Sequence, residues 1–94
     1  MIVHYTFQIH PNDKEQVKAE LRKLRTVIER HGGRNLRYYA ATTSGTPNRL
    51  FIYEIDSFAH FDTLSKDPDF HAVKLDSLYS NATGTMWAEV PLQS

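Results

Sequence analysis

The sequence contains no cysteine, few glycines and prolines, and no excess of charge of either sign. Without cysteine the chain can form neither a disulfide framework nor a thiolate nucleophile or metal ligand. The 11 basic residues balance the 11 acidic residues, so no overall field attracts nucleic acid or an anionic membrane. No apolar stretch approaches the roughly 18 residues that would cross a membrane, and no signal peptide is recognisable. We therefore expect a cytoplasmic protein that binds neither nucleic acid nor membrane.

What the chain does contain is enough apolar material for a folded core. Hydrophobic residues make up 40% of the 94 residues, which argues against disorder. A chain of this length suits one domain, and we predict a single domain over residues 1–94. A net charge of zero also favours association between copies of the chain.

A strand followed by an amphipathic helix is predicted for the first third of the chain. Residues 2–9 alternate strictly between two faces, which is typical of a strand with two different surroundings. Asn12 and Glu15 have the spacing of a capping box at the start of the helix, and Gly32 and Gly33 would end it. One apolar stripe runs along this helix, formed by Val17, Leu21, Leu24 and Ile28.

The remainder of the chain predicts a hairpin, a helical region and a last strand. Residues 35–43 and 49–55 read as strands joined by the turn 44–48. Residues 56–80 read as helical in two pieces, the first capped by Asp56 or Ser57 and the second begun by Asp67 and Pro68. Residues 83–92 read as the fourth strand. The order βαββαβ predicts a ferredoxin-like α+β fold, with a four-stranded antiparallel sheet and the helices on one face.

The two faces of the predicted sheet differ in composition. The more apolar side of each strand belongs under the helices: Val3, Tyr5, Phe7, Ile9, Phe51, Tyr53, Ile55, Met86, Ala88 and Val90. The opposite side, which we call the open face, then collects His4, Thr6, Gln8, Leu50, Ile52, Glu54, Thr85, Trp87 and Glu89. From the second strand either Leu36, Tyr38 and Ala40 or Arg37, Tyr39 and Ala41 could join the open face, and the polar balance favours Arg37 and Tyr39.

The open face is too apolar to be left in water on a soluble monomer. A second copy of the same sheet, related by a two-fold axis, is the economical cover. Two such sheets would form a dimeric α/β barrel and enclose a cavity lined by a few polar groups. We predict this homodimer, and we expect Glu54 to look into the cavity opposite His4.

The stretches "HGGRNLRYY", "SGTPNRLFIYEIDSF" and "DPDF" together resemble the NIPSNAP-like proteins, which are grouped in the dimeric α/β barrel superfamily with antibiotic-biosynthesis-monooxygenase-type domains. The resemblance covers residues 31–70 well. Members often carry an acidic residue shortly before the turn glycine, where this chain has Thr43 and Ser44 before Gly45. The aromatic residue of the third strand is often tryptophan in members, and here it is Tyr53. The resemblance implies a dimer that binds or transforms a small aromatic or hydrophobic compound, as a cofactor-free monooxygenase or isomerase. The alternative is a non-catalytic ligand-binding or protein-interaction dimer.

Two polar residues of the open face are the candidate catalytic residues. Glu54, in a partly apolar cavity, suits a general base, and its alternative role is a salt bridge with Arg37 or Arg49. His4 suits a catalytic or ligand-contacting role, and its alternative is a hydrogen-bonded polar residue of the core. The candidate ligand-pocket residues are Thr6, Arg37, Tyr39, Ile52 and Trp87.

The five histidines do not form a metal motif. None of them has HxxxH or HExxH spacing, so we expect no metal and no cofactor. His10 and His31 suit structural roles at element ends, and His60 and His71 suit exposed positions. Relatives in this superfamily that bind haem use a helix histidine and often carry an asparagine on the first strand. This chain has His4, Thr6 and Gln8 on that strand face, so the resemblance does not support haem binding. An RNA-binding module is excluded by the absence of an RNP-like run.

Overall fold

The computed structural model describes residues 1–92, and the elements follow the predicted order. The strands are β1 (Ile2–Ile9), β2 (Arg34–Ala40), β3 (Arg49–Glu54) and β4 (Tyr79–Trp87), and the helices are α1 (Lys14–Arg30), α2 (Phe58–Ser65) and α3 (Pro68–Ala72). The strands form one antiparallel sheet in the order β2-β3-β1-β4. The predicted ferredoxin-like α+β fold is therefore confirmed. Residues 93–94 of the predicted domain lie outside the described residues.

The register of the strands fixes which side chains share a face. His4 in β1 lies opposite Ile52 in β3 and opposite Thr85 in β4. Residues directly opposite each other point to the same side of a sheet. Arg37 pairs with Ile52, and Tyr39 pairs with Leu50, so β2 contributes Arg37 and Tyr39 to the open face as the polar balance favoured.

The other face of the sheet packs against the helices and forms the core. The stripe on α1 is buried as predicted, with Val27 added to it. The buried core comprises Val3, Phe7, Ile9, Phe51, Tyr53 and Ile55 from the sheet side, Val17, Leu21, Leu24, Val27 and Ile28 from α1, and Leu64 from α2. Apolar burial of this kind is the main favourable term in folding.

The ends of α1 are built differently from one another. Gly32 has φ +86°, the Gly32 amide donates to Glu29, and the Gly33 amide donates to Ile28, which together form a Schellman cap. At the start of α1 the predicted capping box of Asn12 and Glu15 does not form. A 3₁₀ turn over Pro11–Asp13 precedes the helix instead, and the Nδ1 atom of His10 accepts a hydrogen bond from the Asn12 amide at 3.1 Å.

The last quarter of the chain differs from the prediction in where its elements begin and end. Ser57 caps α2 and Asp67 caps α3, but α3 ends at Ala72, and residues 73–78 are not helical. β4 begins at Tyr79 and ends at Trp87, so Ala88, Glu89 and Val90 lie beyond the strand and are exposed. Val73, Leu75 and Leu78, which the sequence predicts as part of a helical apolar edge, pack against the core from a segment that is not helical.

Candidate functional site

The open face carries the predicted site residues in cross-strand rows. One row runs Arg37, Ile52, His4 and Thr85, and a neighbouring row places Ile2 between Glu54 and Trp87. Glu54 therefore lies opposite Ile2, and the expected position opposite His4 is occupied by Ile52. Residues 52 and 54 are successive positions on the same face of β3, so Glu54 lies in the row next to the one that contains His4.

His4 is held by the tryptophan of the open face. The Nε1–H group of Trp87 donates to Nδ1 of His4 at 3.2 Å, and the two ring centroids lie 6.1 Å apart. An Nδ1 atom that accepts a hydrogen bond leaves the ring proton of neutral His4 on Nε2. His4 can thus present an Nε2–H donor to a molecule on the open face.

Glu54 has two partners, and both belong to β2. The Asn35 side-chain amide donates to the Glu54 carboxylate at 2.6 Å, and the Arg37 guanidinium lies 3.8 Å from the same oxygen. Asn35 reaches Glu54 from a register irregularity in β2, where its φ of 54° is unusual for a residue other than glycine. Arg49, the other proposed partner, faces the helices and donates to the Tyr38 hydroxyl at 3.1 Å.

The open face is uncovered in the single chain. Trp87 is 54% exposed, Tyr39 48% and Ile2 37%, which is high for large apolar side chains. Thr6 and Ile52, the remaining candidate pocket residues, are half-buried on the same face. The structure thus gathers all seven predicted site residues on one face, but His4 and Glu54 have separate hydrogen-bond partners, Trp87 and Asn35, among the described residues.

An apolar cavity lies on the other side of the sheet, between the sheet and the helices. It has a volume of about 210 Å³, and α3 and the segment 73–78 contribute Phe70 and Leu75 to its lining. Its lining is aromatic and aliphatic: Tyr5, Phe7, Leu21, Leu24, Ile28, Phe51, Tyr53, Phe70, Leu75, Tyr79, Ala82 and Gly84. We call this space the tyrosine cavity. An apolar cavity of roughly 150 Å³ already accommodates benzene, so a compound of one or two rings fits here.

Two of the tyrosines enter the cavity from the central strands. The Tyr53 side chain is 1% exposed, and its hydroxyl has no hydrogen-bond partner among the described residues. The Tyr5 and Tyr53 hydroxyls are close enough that each alters the pKa of the other. Burial is the main reason that the pKa of each hydroxyl is raised, so both keep their protons at neutral pH.

Gly84 in β4 has no side chain, and this leaves room for the Tyr5 ring beside it. A Cβ atom on Gly84 would lie 2.9 Å from Cε1 of Tyr5, closer than carbon atoms pack. The sequence analysis assigned Tyr5 and Tyr53 to the core and did not identify Asn35. The available signal was an unusual pair of tyrosines on the helix side of two central strands, where phenylalanine would bury without a hydroxyl to satisfy.

A search for further sites adds no metal centre. Within residues 1–92, no three histidine, aspartate or glutamate side chains are grouped as metal ligands would be. None of the helices described for this chain combines the length and apolar character needed to cross a membrane.

Comparisons with known proteins identify the fold. No family model matches the chain, and no curated protein matches it. Among solved structures, an antibiotic biosynthesis monooxygenase superposes with a TM-score of 0.79 at 17% identity, covering 97% of this chain and 100% of the other. A dimeric ferredoxin-like protein of unknown function from Thermobifida fusca gives a TM-score of 0.74 at 21% identity, covering 94% and 90%.

A NIPSNAP family protein from Agrobacterium tumefaciens also matches, with a TM-score of 0.71 at 12% identity, covering 97% of this chain and 93% of the other. Identities this low establish a common fold and no more. The resemblance expected from the sequence is confirmed at that level: the chain has the ferredoxin-like fold that antibiotic biosynthesis monooxygenases and NIPSNAP proteins share.

Proposed function

We propose that the protein is a homodimer that binds a small aromatic or hydrophobic compound in the tyrosine cavity of each chain. The observation that carries the proposal is the cavity itself, an apolar space of about 210 Å³ whose lining includes the three tyrosines Tyr5, Tyr53 and Tyr79. Ligand sites in proteins are typically concave and mostly apolar, with a small number of polar groups that fix orientation.

The open face is the proposed dimer interface. Its exposed tryptophan, tyrosine and isoleucine would be removed from water by a second sheet, which is a reason for two copies to associate. The Thermobifida fusca protein of similar fold is described as dimeric, which supports a dimer here.

A reaction on the bound compound is a second proposal, favoured by the monooxygenase named among the structures of similar fold. The enzyme would be of the cofactor-free monooxygenase or isomerase type expected from the sequence. His4 and Glu54 stay candidate catalytic residues for a ligand held between the two sheets, with Thr6, Arg37, Tyr39, Ile52 and Trp87 around it. Each of the two candidates already has a partner in the single chain, so this site is the alternative to the tyrosine cavity.

Methyl-resolved NMR separates the two locations. Indane, an apolar compound of two fused rings, would be titrated into protein labelled at leucine and isoleucine methyl groups. We expect the signals of Leu21, Leu24 and Ile28 to shift, and those of Leu50 and Ile52 on the open face to stay in place.

The matched control is Leu75→Trp, which places a larger side chain in the lining of the cavity from the segment 73–78. The variant should fold and should no longer bind indane. Shifts confined to Leu50 and Ile52 would instead favour the site between the sheets, and the absence of any shift would contradict binding in the tyrosine cavity.

A further inference from the structure

Charge is unevenly distributed along the chain, although its net value is zero. Residues 14–37, which form α1 and the first half of β2, contain eight lysines and arginines but only three glutamates. The rest of the chain contains three basic residues and eight acidic ones. The excess of positive charge is therefore confined to one helix and to β2, which is an edge strand of the sheet.

A groove between α1 and β2 collects four of these cations. It has a volume of about 260 Å³ and is lined by Lys18, Arg22 and Arg25 from α1 and by Arg37 from β2. None of the lining residues within 1–92 is acidic. We call this space the basic groove. A concave surface lined by charges of one sign concentrates ions of the opposite sign.

The four cations are accessible and incompletely neutralised. The side chains of Lys18, Arg25 and Arg37 are 48%, 67% and 36% exposed, and Arg22 is exposed as well. Lys18 and Arg37 each lie 3.8 Å from a glutamate oxygen, which is longer than a charge-assisted hydrogen bond. Arg25 has a close partner in Glu29 at 2.7 Å. The Arg22 guanidinium has no partner among the described residues.

The spacing of three of these cations is unfavourable for the helix that carries them. Lys18, Arg22 and Arg25 follow one another at intervals of four and three residues, so they are neighbours on one side of α1. Like charges at such intervals destabilise a helix. Local helix stability therefore does not account for the arrangement, whereas an anion bound in the groove would supply the missing counter-charge.

The rest of the lining is apolar. It consists of Leu21, Leu36, Tyr38 and Phe51. The Tyr38 hydroxyl accepts from Arg49 at 3.1 Å, so a fifth cation is in contact with the lining. Ligand sites typically combine apolar walls with a few polar or charged groups that fix orientation. A bare inorganic ion would leave these apolar walls in water, and an anion with an apolar body would cover them.

We propose that the basic groove binds a small organic anion. A carboxylate or phosphate group would be held by the cations of α1 and by Arg37, and the apolar body would lie against Leu36 and Phe51. Arginine recognises carboxylate and phosphate with the same pair of parallel N–H donors.

This site is additional to the tyrosine cavity. Leu21 and Phe51 belong to both linings, but none of the described residues that line the tyrosine cavity is charged, and Leu36 lines the basic groove alone. The methyl signals of Leu36 therefore report on the basic groove, and those of Ile28 report on the tyrosine cavity.

Probes with one chain and different head groups test the proposal. Octanoate, octyl phosphate and octan-1-ol would each be titrated at low ionic strength into protein labelled at leucine and isoleucine methyl groups. We expect the Leu36 signals to shift with the anions, and the tighter of the two anions identifies the preferred head group. Its affinity should exceed that of octan-1-ol about 3- to 10-fold, as several partly exposed ion pairs would give, and should fall as salt is added.

A matched pair of variants tests the position. Arg22 and Lys23 are consecutive exposed residues of α1, but only Arg22 lines the basic groove. Arg22→Gln should bind the preferred anion about 3- to 5-fold more weakly, and Lys23→Gln should bind it as the native protein does. The thermal midpoint of unliganded Arg22→Gln should not fall, because the substitution removes a repulsion.

The failure of this inference is distinguishable from that of the proposed function. Anions that bind no more tightly than octan-1-ol, or that shift Ile28 and not Leu36, would overturn the basic groove and leave the result with indane untouched. Acetate binding as tightly as octanoate would overturn the role of the apolar walls. Equal losses in Arg22→Gln and Lys23→Gln, or a lower midpoint for unliganded Arg22→Gln, would overturn the assignment of Arg22 to an anion site.

Discussion

Glu54 is a carboxylate of the open face in an apolar strand, and its neighbours within the chain explain how the strand tolerates it. The side chain is 33% exposed, Asn35 donates to it, and Arg37 provides an opposite charge. A partly exposed ion pair of this kind contributes little, about 0.2–1 kcal/mol. The charge of the carboxylate is thus balanced by Arg37 and its oxygen is hydrogen-bonded by Asn35.

Replacing this carboxylate tests the compensation. Glu54→Gln keeps the shape and the oxygen that accepts from Asn35 but removes the charge that faces Arg37. We expect the thermal midpoint at neutral pH to fall by about 1–6 °C, since roughly 0.2–1 kcal/mol is lost in a domain of this size.

Differential scanning calorimetry checks the change, and Arg37→Gln with the double variant completes a cycle that isolates the pair. A rise in the midpoint of Glu54→Gln would contradict the pairing and would indicate a carboxylate that carries an uncompensated cost.

At the scale of elements, α1 is the main cover of the sheet. Leu24 lies at the middle of the buried stripe and is 8% exposed. We expect Leu24→Asp to unfold the protein, because a buried unpaired charge typically costs more than about 3 kcal/mol. Circular dichroism and the thermal midpoint measure the effect. Arg22→Asp, on the exposed side of the same helix, is the control that should stay folded.

The short helix α3 is held to the end of α1 by a cluster of charged groups. Asp67 accepts from His31 at 2.7 Å and from Arg30 at 3.0 Å, and it also caps α3 through the Asp69 amide. The hydrogen bond with His31 is the main reason that the pKa of Asp67 lies below its usual range, and the bond with the Asp69 amide adds to it. Because α3 contributes Phe70 to the lining of the tyrosine cavity, this cluster also holds one wall of the site.

A depressed pKa in the folded state predicts a defined pH dependence. The contribution of Asp67 to stability should be complete above about pH 4, the usual range for an aspartate, and should be lost as the pH falls through the lower pKa of the folded chain. In Asp67→Asn we expect a lower thermal midpoint at pH 6, with the difference from the native protein shrinking towards pH 2.5.

Thermal melts across this pH range measure the difference. Asp13→Asn serves as the control, because Asp13 makes no capping hydrogen bond with its side chain. A difference that stays constant down to pH 2.5 would show that the ionised form of Asp67 is not what stabilises α3.

At the scale of the whole molecule, the open face decides the state of assembly that we propose. A stable interface of the standard kind buries on the order of 1,600 Å² in total. We expect light scattering to give twice the mass of one chain at micromolar concentration. Ile52→Lys, at the centre of the open face, should give the mass of one chain with an unchanged circular dichroism spectrum.

Thr26→Lys is the matched control, because it places the same new charge on the exposed surface of α1. It should leave the dimer intact. A single-chain mass for the native protein would contradict the dimer, and a dimeric Ile52→Lys would move the interface away from the open face.

The sequence by itself determined the order of the elements and the two faces of the sheet. Strict alternation in residues 2–9 and apolar spacing along α1 are local patterns, and they follow directly from the periods of strand and helix. The glycines after α1 and the Asp67–Pro68 start of α3 are likewise local, because caps depend on a few consecutive residues.

Other features were decided only by tertiary structure. Strand register is a relation between distant segments, so alternation predicted that Glu54 and His4 share a face but could not say that Ile52 lies opposite His4. β4 starts at Tyr79 because pairing with β1 outweighs the weak helical pattern there, and it ends at Trp87, which pairs with Ile2 near the start of β1.

The tyrosine cavity is the clearest case. Its lining comes from α1, α3, the segment 73–78 and three strands, and the burial of the Tyr53 hydroxyl is a property of how those elements pack. A sequence states that a tyrosine is present on an apolar face. Whether its hydroxyl meets a partner, water or an empty space depends on the positions of atoms that lie far apart along the chain.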